Sequence, residues 1–489
     1  MLLSIATRPW YHERTGRPSD SLGDESRHAE EPLRYPRAPL RLLLLGLDCV
    51  PPSIAFDRWA DLLPNLGSLR REGLWGPLRS CFPPITVPAW TCMVSGRDPG
   101  ELGLYGFRNR SDGYDLRVAT SADVRVKRLW DRLGEAGHRV ASLFVPLTSP
   151  PTPLRGHMVS CFLTPGPTSP STFPPQFQSE LEARFGPYRM DVEGFRGGDL
   201  RRICEELHGM LGQHFAMARH TWRTHRPDFL MMVEMGPDRL HHALWHHMDP
   251  AHPDYREGNR WEAEAQRYYA ALDAEVGRFL DEVGDDTTVI VASDHGARAC
   301  LGGVAVNEWL AQRGLLRLRH RPAAPTPLRE VVDWSRTAAW AEGGYYARVF
   351  LNIRGREPRG VVAPEQAPAL LEDLAAGLVA MGPEGTRVFR PEELYGEVRG
   401  KPPELLAFFG DLAYRSVGTV GHGGVRVGAE DGCNHDWDGV FVMRGPGIRS
   451  GQVSAAIHDV GRTALGLFEV PADRRWRGRD WSARPPQPK

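Results

Sequence analysis

Four apolar runs stand out along the chain: Leu42 to Leu47, Val140 to Val145, Phe229 to Val233 and Val289 to Ala292. They lack the alternation of a half-exposed strand, which predicts parallel strands covered on both faces. Between them, apolar residues recur at helical spacing. The clearest case spans Arg256 to Val283, where Trp261, Ala265, Tyr268, Leu272, Val276, Phe279 and Val283 share one face. Buried strands alternating with amphipathic helices predict an α/β fold, a mostly parallel central sheet with helices on both faces. Such sheets form sites where strands deliver their carboxyl ends. Here Asp48 ends the first run, Asp238 lies just past the third and Asp294 ends the fourth.

The same pattern divides the chain. Residues 1–39 are rich in Arg, Glu, Ser and Pro, which predicts a flexible N-terminal tail. The first part of the core follows over 40–300. Over 301–425, a Pro-rich connection from Arg319 to Pro327 and a helical stretch from Glu365 to Met381 break the alternation, and an inserted lid or substrate subdomain is expected. The core resumes over 426–475, where Gly439 to Met443 reads as a strand, and 476–489 reads as a C-terminal tail.

Composition removes some classes of function. With 60 basic and 61 acidic residues the net charge is -1, which excludes the basic excess of a nucleic-acid-coating protein. A small anionic substrate stays open, since a site needs only local positive charge. No stretch approaches the ~20 apolar residues of a membrane span, and the first residues lack the apolar region of a secretory signal. Seven cysteines, odd in number and without a C-x-x-C pair, predict reduced thiols and a cytoplasmic setting.

The polar residues carry the chemistry. Asp238 and His242 are four apart and share one face of a helix. Ser293-Asp294-His295-Gly296 sets a carboxylate beside an imidazole at a strand end, and Asn434-His435-Asp436 precedes another strand. Three carboxylates and three imidazoles suit zinc or a similar first-row ion rather than calcium, which prefers oxygen alone. Three protein ligands for each of two metals would leave the open positions that catalysis needs. Pro88 marks a helix's first turn and puts Thr86 just before it, where unpaired N–H groups favour an anion. A hydroxyl there serves equally as a helix cap or, beside a metal, as a nucleophile.

Asp48, Thr86 in T-V-P-A-W-T, Asp238-x-x-x-His242, S-D-H-G at 293–296 and His435 ahead of G-V-F-V-M-R-G-P-G-I together resemble the alkaline phosphatase superfamily. Within it, order and spacing are similar to the type I phosphodiesterase/nucleotide pyrophosphatase family from residue 41 to about 450. The resemblance implies an alkaline-phosphatase-like fold and two divalent ions, zinc first and manganese second. Asp238, His242 and His435 would hold one ion; Asp48, Asp294, His295 and the Thr86 oxygen would hold the other. Thr86 would attack phosphorus and give a phosphothreonine that water hydrolyses. The implied substrate is a small-molecule phosphodiester or nucleotide pyrophosphate. Gly103 to Arg110 matches the family's phosphate-holding stretch, with Asn109 the candidate and Arg108 or Arg110 its rivals. His422, in Gly421-His-Gly-Gly, rivals His435 as a ligand and is otherwise a candidate for the substrate cleft. Ala89-Trp90 stands where many nucleotide pyrophosphatases carry Asn-His, which leaves a nucleotide substrate open.

Rival readings keep parts of this scheme. A phosphomonoesterase or phosphotransferase would use the same two-metal site. A sulfatase needs an Arg that Thr86-Val-Pro-Ala-Trp lacks. A non-catalytic scaffold would have lost ligands, yet all six and the nucleophile are present. Tyr345, Tyr346 and Arg348 read either as cleft residues or as part of an alternating strand from Tyr345 to Asn352.

Overall fold

A computed structural model describes residues 40–482; the tail expected over 1–39 lies outside them. Strands β1 (Leu42–Leu47), β2 (Leu74–Arg79), β3 (Val140–Leu143), β4 (Gly156–Val159), β5 (Thr172–Phe173), β6 (Phe229–Glu234) and β7 (Thr288–Ala292) come first in the chain. They are followed by β8 (Gly296–Ala299), β9 (Cys433–Asp436) and β10 (Asp438–Arg444). The main sheet runs β2-β10-β7-β1-β6-β3-β4-β5, with the short strands Gly451–Gln452 and Ala455–Ala456 both on β2. Its centre is parallel: β1 pairs with β6 on one side and β7 on the other. All residues of these three strands are buried, as uninterrupted apolar runs require. The sheet is mixed nonetheless, because β10 lies antiparallel between β7 and β2.

Five helices matter for the site and its support: α1 (Thr86–Ser95), α2 (Leu200–His225), α3 (Gly236–Met248), α4 (Arg260–Val283) and α5 (Ile457–Leu467). All ten residues of α1 are buried, in keeping with a sequence that is apolar nearly all round. α4 begins four residues later than the periodicity suggests, because Asn259 caps it by accepting from the Trp261 and Glu262 N–H groups.

The stretch expected as an insertion builds its own sheet from Ala339–Glu342, Ala347–Leu351, Leu405–Phe408 and Arg387–Phe389, covered by the helix Ala367–Met381. Its apolar cluster, including Trp340, Phe350, Leu374 and Leu405, is separate from that of the main sheet. The segment leaves through β8 and returns through β9, and these two strands pair antiparallel with Ala297 opposite His435. The ribbon that tethers the insertion therefore carries a candidate site residue. Residues 476–482, read from the sequence as tail, pack onto α5: Trp476 is buried and the Trp481 indole N–H donates to Asp459 Oδ2 at 3.0 Å. No described helix is long and apolar enough to cross a membrane.

Candidate active site

Three neighbouring strands, β7-β1-β6, deliver their carboxyl ends to one place. Asp48 follows β1 directly, and its N–H donates to the Glu234 carbonyl at the end of β6 at 3.0 Å. Ser293 follows β7; its hydroxyl accepts from the Val50 N–H at 2.8 Å and donates to the His295 carbonyl at 2.7 Å, stitching the two loops together. α3 starts two residues past β6 and carries Asp238 and His242 one turn apart. Thr86 is the first residue of α1 rather than the residue before it. No side chain caps that helix, which leaves its N-terminal N–H groups without a side-chain acceptor.

The structure brings all seven sequence-assigned residues together in two groups. Asp48, Asp294 and His295 offer ligand atoms within 4.8 Å of one another, as do Asp238, His242 and His435. His295 Nε2 is 3.2 Å from Asp294 Oδ2, 3.6 Å from Asp48 Oδ1 and 3.3 Å from Thr86 Oγ1. Asp238 Oδ1 is 3.3 Å from His435 Nε2 and 3.5 Å from His242 Nε2. The rings of His295 and His435 stack at 3.7 Å, which joins the two groups. All seven side chains belong to residues at most 1% exposed.

These residues fit divalent ions, and the hydrogen bonds show why. His295 Nδ1 faces the Gly296 carbonyl at 3.1 Å and His435 Nδ1 faces the Pro84 carbonyl at 2.9 Å. A carbonyl only accepts, so Nδ1 carries the proton in each ring and Nε2 turns a bare lone pair toward the carboxylates. Lone pairs facing carboxylate oxygens repel unless a cation lies between them. Asp48 Oδ1, Asp238 Oδ1, Asp294 Oδ2 and His435 Nε2 are all buried with no hydrogen-bond partner in the protein, an arrangement that costs free energy in a closed core. Burial pushes the Asp48 and Asp294 carboxyls well above the usual carboxylate range, and neighbouring carboxylates add to it. Burial opposes the Asp238 carboxylate too, but His242 and the Arg239 guanidinium beside it hold its carboxyl well below the usual range. Burial lowers His435 to about 4, and lowers His295 with His435 assisting, so both rings are neutral at pH 7.

A surrounding set of residues was, apart from Tyr345, not assigned from sequence. The Trp90 indole N–H donates to Asp48 Oδ2 at 2.6 Å, and a Cβ on Gly46 would lie 2.5 Å from that ring, so the glycine is what lets Trp90 reach. Arg239 pairs with Asp238 Oδ2 at 2.5 Å and with both Asp191 oxygens at 2.7 and 2.8 Å. Asp431 Oδ2 lies 3.3 Å from His242 Nδ1 and is held by Arg196 at 2.7 Å and Arg415 at 3.1 Å. Tyr345 stacks on His435 at 3.7 Å, and its hydroxyl lies 3.3 Å from His242 Nε2 and 2.9 Å from Arg196 Nη2. Tyr345 precedes the strand Ala347–Leu351, and it, Tyr346 and Arg348 all line one cavity beside the site. Charge–carboxylate pairs outside strand ends and helix faces have no short sequence spacing, which is why these escaped notice.

The three substrate-binding candidates part company. Arg108 borders a cavity of about 220 Å³ that Ile85 and Tyr345 also line. Asn109 is spent in its own turn, accepting from the Tyr105 N–H at 2.7 Å and donating to the Gly106 carbonyl at 3.0 Å. His422 hydrogen-bonds Thr419 at 2.7 Å and, through its N–H, Glu308 at 3.0 Å; it joins neither group of ligands. A further Glu180–His220–His225 group lies apart from the sheet edge, and its atoms satisfy one another, His220 and His225 Nε2 lying 2.7 and 2.9 Å from Glu180 Oε1.

Comparison with known proteins agrees with this geometry. A sequence model of the family "Type I phosphodiesterase / nucleotide pyrophosphatase" matches residues 42–438. No curated protein matches the chain by sequence. Among solved structures, phosphonoacetate hydrolase from Sinorhizobium meliloti with phosphonoformate superposes with a TM-score of 0.59 at 16% identity, covering 88% of this chain and 97% of that one. Human ectonucleotide pyrophosphatase/phosphodiesterase 5 gives 0.57 at 11% identity, covering 88% and 96%. An inactive threonine-to-alanine form of the murine enzyme, in complex with AMP, gives 0.56 at 11% identity, again covering 88% and 96%. The alkaline-phosphatase-like α/β fold expected from the sequence is the fold observed. The chain belongs to the type I phosphodiesterase/nucleotide pyrophosphatase family and is a phosphoric ester hydrolase.

Proposed function

We propose that the chain hydrolyses a phosphodiester or nucleotide-pyrophosphate-type ester, with Thr86 as nucleophile. Asp48, Asp294, His295 and the Thr86 oxygen would hold one divalent ion, and Asp238, His242 and His435 the other. Imidazole with carboxylate favours zinc, with manganese second. The observation that carries this reading is the convergence of four unpartnered buried ligand atoms on one place beside the Thr86 hydroxyl. Bound ions would lower the pKa of that hydroxyl and neutralise charge on the phosphoryl oxygens. The protein's own part is positional. The uncapped α1 N-terminus offers N–H groups to the phosphoryl oxygens, and the His295 and His435 carbonyl contacts fix ring tautomer and direction. Thr86 Oγ1 gives up its proton to solvent and bonds to phosphorus while the bond from phosphorus to the leaving oxygen breaks, and that oxygen takes a proton from solvent to leave as the alcohol. Water then attacks the phosphothreonine, and Thr86 regains a proton. The inactivity of the murine neighbour's threonine-to-alanine form is in keeping with such a role for Thr86. All seven cysteines are free and buried, which suits the cytoplasmic setting we favour.

The test is turnover of bis(4-nitrophenyl) phosphate against 4-nitrophenyl phosphate by the zinc-loaded protein. The diester is expected to have the higher kcat/KM, and Thr86→Ala to lose at least about a thousandfold. A faster monoester keeps the mechanism and moves the chain to the phosphomonoesterase reading. Full activity in Thr86→Ala removes Thr86 as nucleophile. Bound metal without turnover of either ester, or of phosphonoacetate, supports the scaffold reading instead.

A further inference from the structure

Each group of ligands has one hydroxyl beside it. Thr86 Oγ1 lies 3.3 Å from His295 Nε2 in the first group, and Tyr345 Oη lies 3.3 Å from His242 Nε2 in the second. His242 Nε2 is the nitrogen that faces Asp238 Oδ1, at 3.5 Å. The phenol therefore borders the place where Asp238, His242 and His435 converge. Thr86 has a role in the proposed reaction; Tyr345 has none so far.

The Tyr345 side chain is held in position from several directions. Its ring stacks on His435 with centroids 3.7 Å apart, and the Arg415 guanidinium lies over it at 4.8 Å. Its backbone carbonyl accepts from the Asn434 side chain at 3.4 Å, so the residue before His435 anchors it as well. Arg196 Nη2 donates to the hydroxyl oxygen at 2.9 Å. A guanidinium only donates, so the phenolic hydrogen is turned elsewhere, and the bond from Arg196 strengthens the phenol as a donor. Among the described residues, the acceptor that this hydrogen meets is His242 Nε2. That nitrogen can accept because Asp431 Oδ2 faces Nδ1 at 3.3 Å, and a carboxylate takes the proton's side of a ring. The Arg415 guanidinium nearby is closer to Asp431, at 3.1 Å, than to Nδ1, at 3.5 Å. With the Nε2 lone pair committed to a divalent ion, the phenolic hydrogen is left to an oxygen that enters the open position beside it. A phenol keeps its proton at neutral pH, so it acts there as a donor. The same ring lines the cavity of about 220 Å³ together with Ile85, the residue before Thr86. The hydroxyl thus stands between the ligands and space that an ester can enter.

We infer that Tyr345 is a catalytic residue, whose hydroxyl donates a hydrogen bond to the leaving oxygen as its bond to phosphorus breaks. The inference rests on the hydrolase reading. In-line displacement puts the leaving oxygen opposite Thr86, on the side of the ligand group that Thr86 does not touch. The phenol keeps its proton throughout. It lowers the charge that builds on the oxygen, which takes its own proton from solvent. A donor fixed before that charge develops costs no reorganisation when it does.

Tyr345→Phe tests this, since it removes one oxygen and keeps the ring on His435. A donor to the leaving oxygen matters most where the leaving group is poor. In the zinc-loaded variant, kcat/KM on diphenyl phosphate is expected to fall about thirtyfold, as for a lost hydrogen bond to a charged acceptor. On bis(4-nitrophenyl) phosphate, whose leaving group needs little help, the fall should be no more than about threefold. Two further measurements need no turnover. Vanadate bound to Thr86 becomes five-coordinate with an oxygen in the leaving position, and calorimetry should show its binding weakened about tenfold in the variant. Zinc affinity, from competition with a chelating dye, should stay within about threefold of wild type, the phenol being no ligand. An equal loss on both esters, wild-type affinity for vanadate, or a loss explained by weaker zinc binding overturns the inference and leaves the hydrolase reading standing. Wild-type protein inert on both esters overturns the hydrolase reading and this inference with it.

Discussion

At the sheet's carboxyl edge, Asp48 Oδ1, Asp238 Oδ1, Asp294 Oδ2 and His435 Nε2 are buried without partners. In the insertion, two equally buried amides are fully used. Asn352 donates to the Trp334, Thr337 and Arg359 carbonyls and accepts from the Tyr114 hydroxyl at 2.8 Å. Asn307 accepts from the Ala341 N–H and donates to the Ala341 and Gly418 carbonyls, each at 2.8 Å. Both regions bury polar groups completely, so burial alone does not separate chemistry from architecture. Among these residues satisfaction does: the two amides are spent on closing loops, and the four sheet-edge atoms are held in reserve for something that is not protein.

The sharpest way to break this contrast is Asp294→Asn. With metal supplied, kcat/KM on bis(4-nitrophenyl) phosphate is expected to fall at least about a thousandfold. After chelation the order of stability should reverse. The metal-free wild type confines Asp48, Asp238 and Asp294 in one dry place, and replacing one carboxylate by an amide removes part of that repulsion. Thermal unfolding should therefore show metal-free Asp294→Asn melting above metal-free wild type, and zinc raising the wild type far more than the variant. Equal melting temperatures with and without zinc would mean that these carboxylates are not waiting for a cation.

The matching substitution in the insertion is Asn352→Ala. It leaves three carbonyls and one hydroxyl without their partner, at a cost of about 3 kcal/mol. Because nothing there awaits a metal, urea unfolding should report the same loss with and without chelator. A loss that appears only in the metal-loaded protein would mean that the insertion and the sheet edge stabilise one another, and the contrast would fail.

What the sequence discloses follows the same line. Leu42–Leu47, Phe229–Glu234 and Thr288–Ala292 were legible because strands covered on both faces need unbroken apolar runs, and the aspartates that end or follow them were legible because strand ends are fixed points. Asp238 and His242 were legible through helical spacing. Asp431 was not: it sits in the loop Gly428–Gly432, reads as an ordinary turn acid, and reaches His242 only because β8 and β9 pair and bring that loop back. Asn109 shows the converse. A family stretch located it, but its amide closes its own turn, and only coordinates report such local competition.

Trp90 stands between the two kinds of residue, since it lies in the core sequence yet acts through one donated hydrogen bond. Its position reads as a departure from the Asn-His common in nucleotide pyrophosphatases, and in the fold the indole fixes Asp48 Oδ2 at 2.6 Å while Oδ1 stays free. Trp90→Phe keeps an aromatic ring over Gly46 and removes only the donor. A ligand's supporting hydrogen bond is worth about ten- to a hundredfold in metal affinity or activity; the low end is expected here, because the Asp48 backbone is still held by the Glu234 carbonyl. The zinc concentration for half-maximal activity should rise about tenfold, and kcat at saturating zinc should recover most of its wild-type value. A purely packing role predicts instead a lower melting temperature with an unshifted zinc dependence. That outcome would place Trp90 with Asn352, as architecture rather than as support for the site.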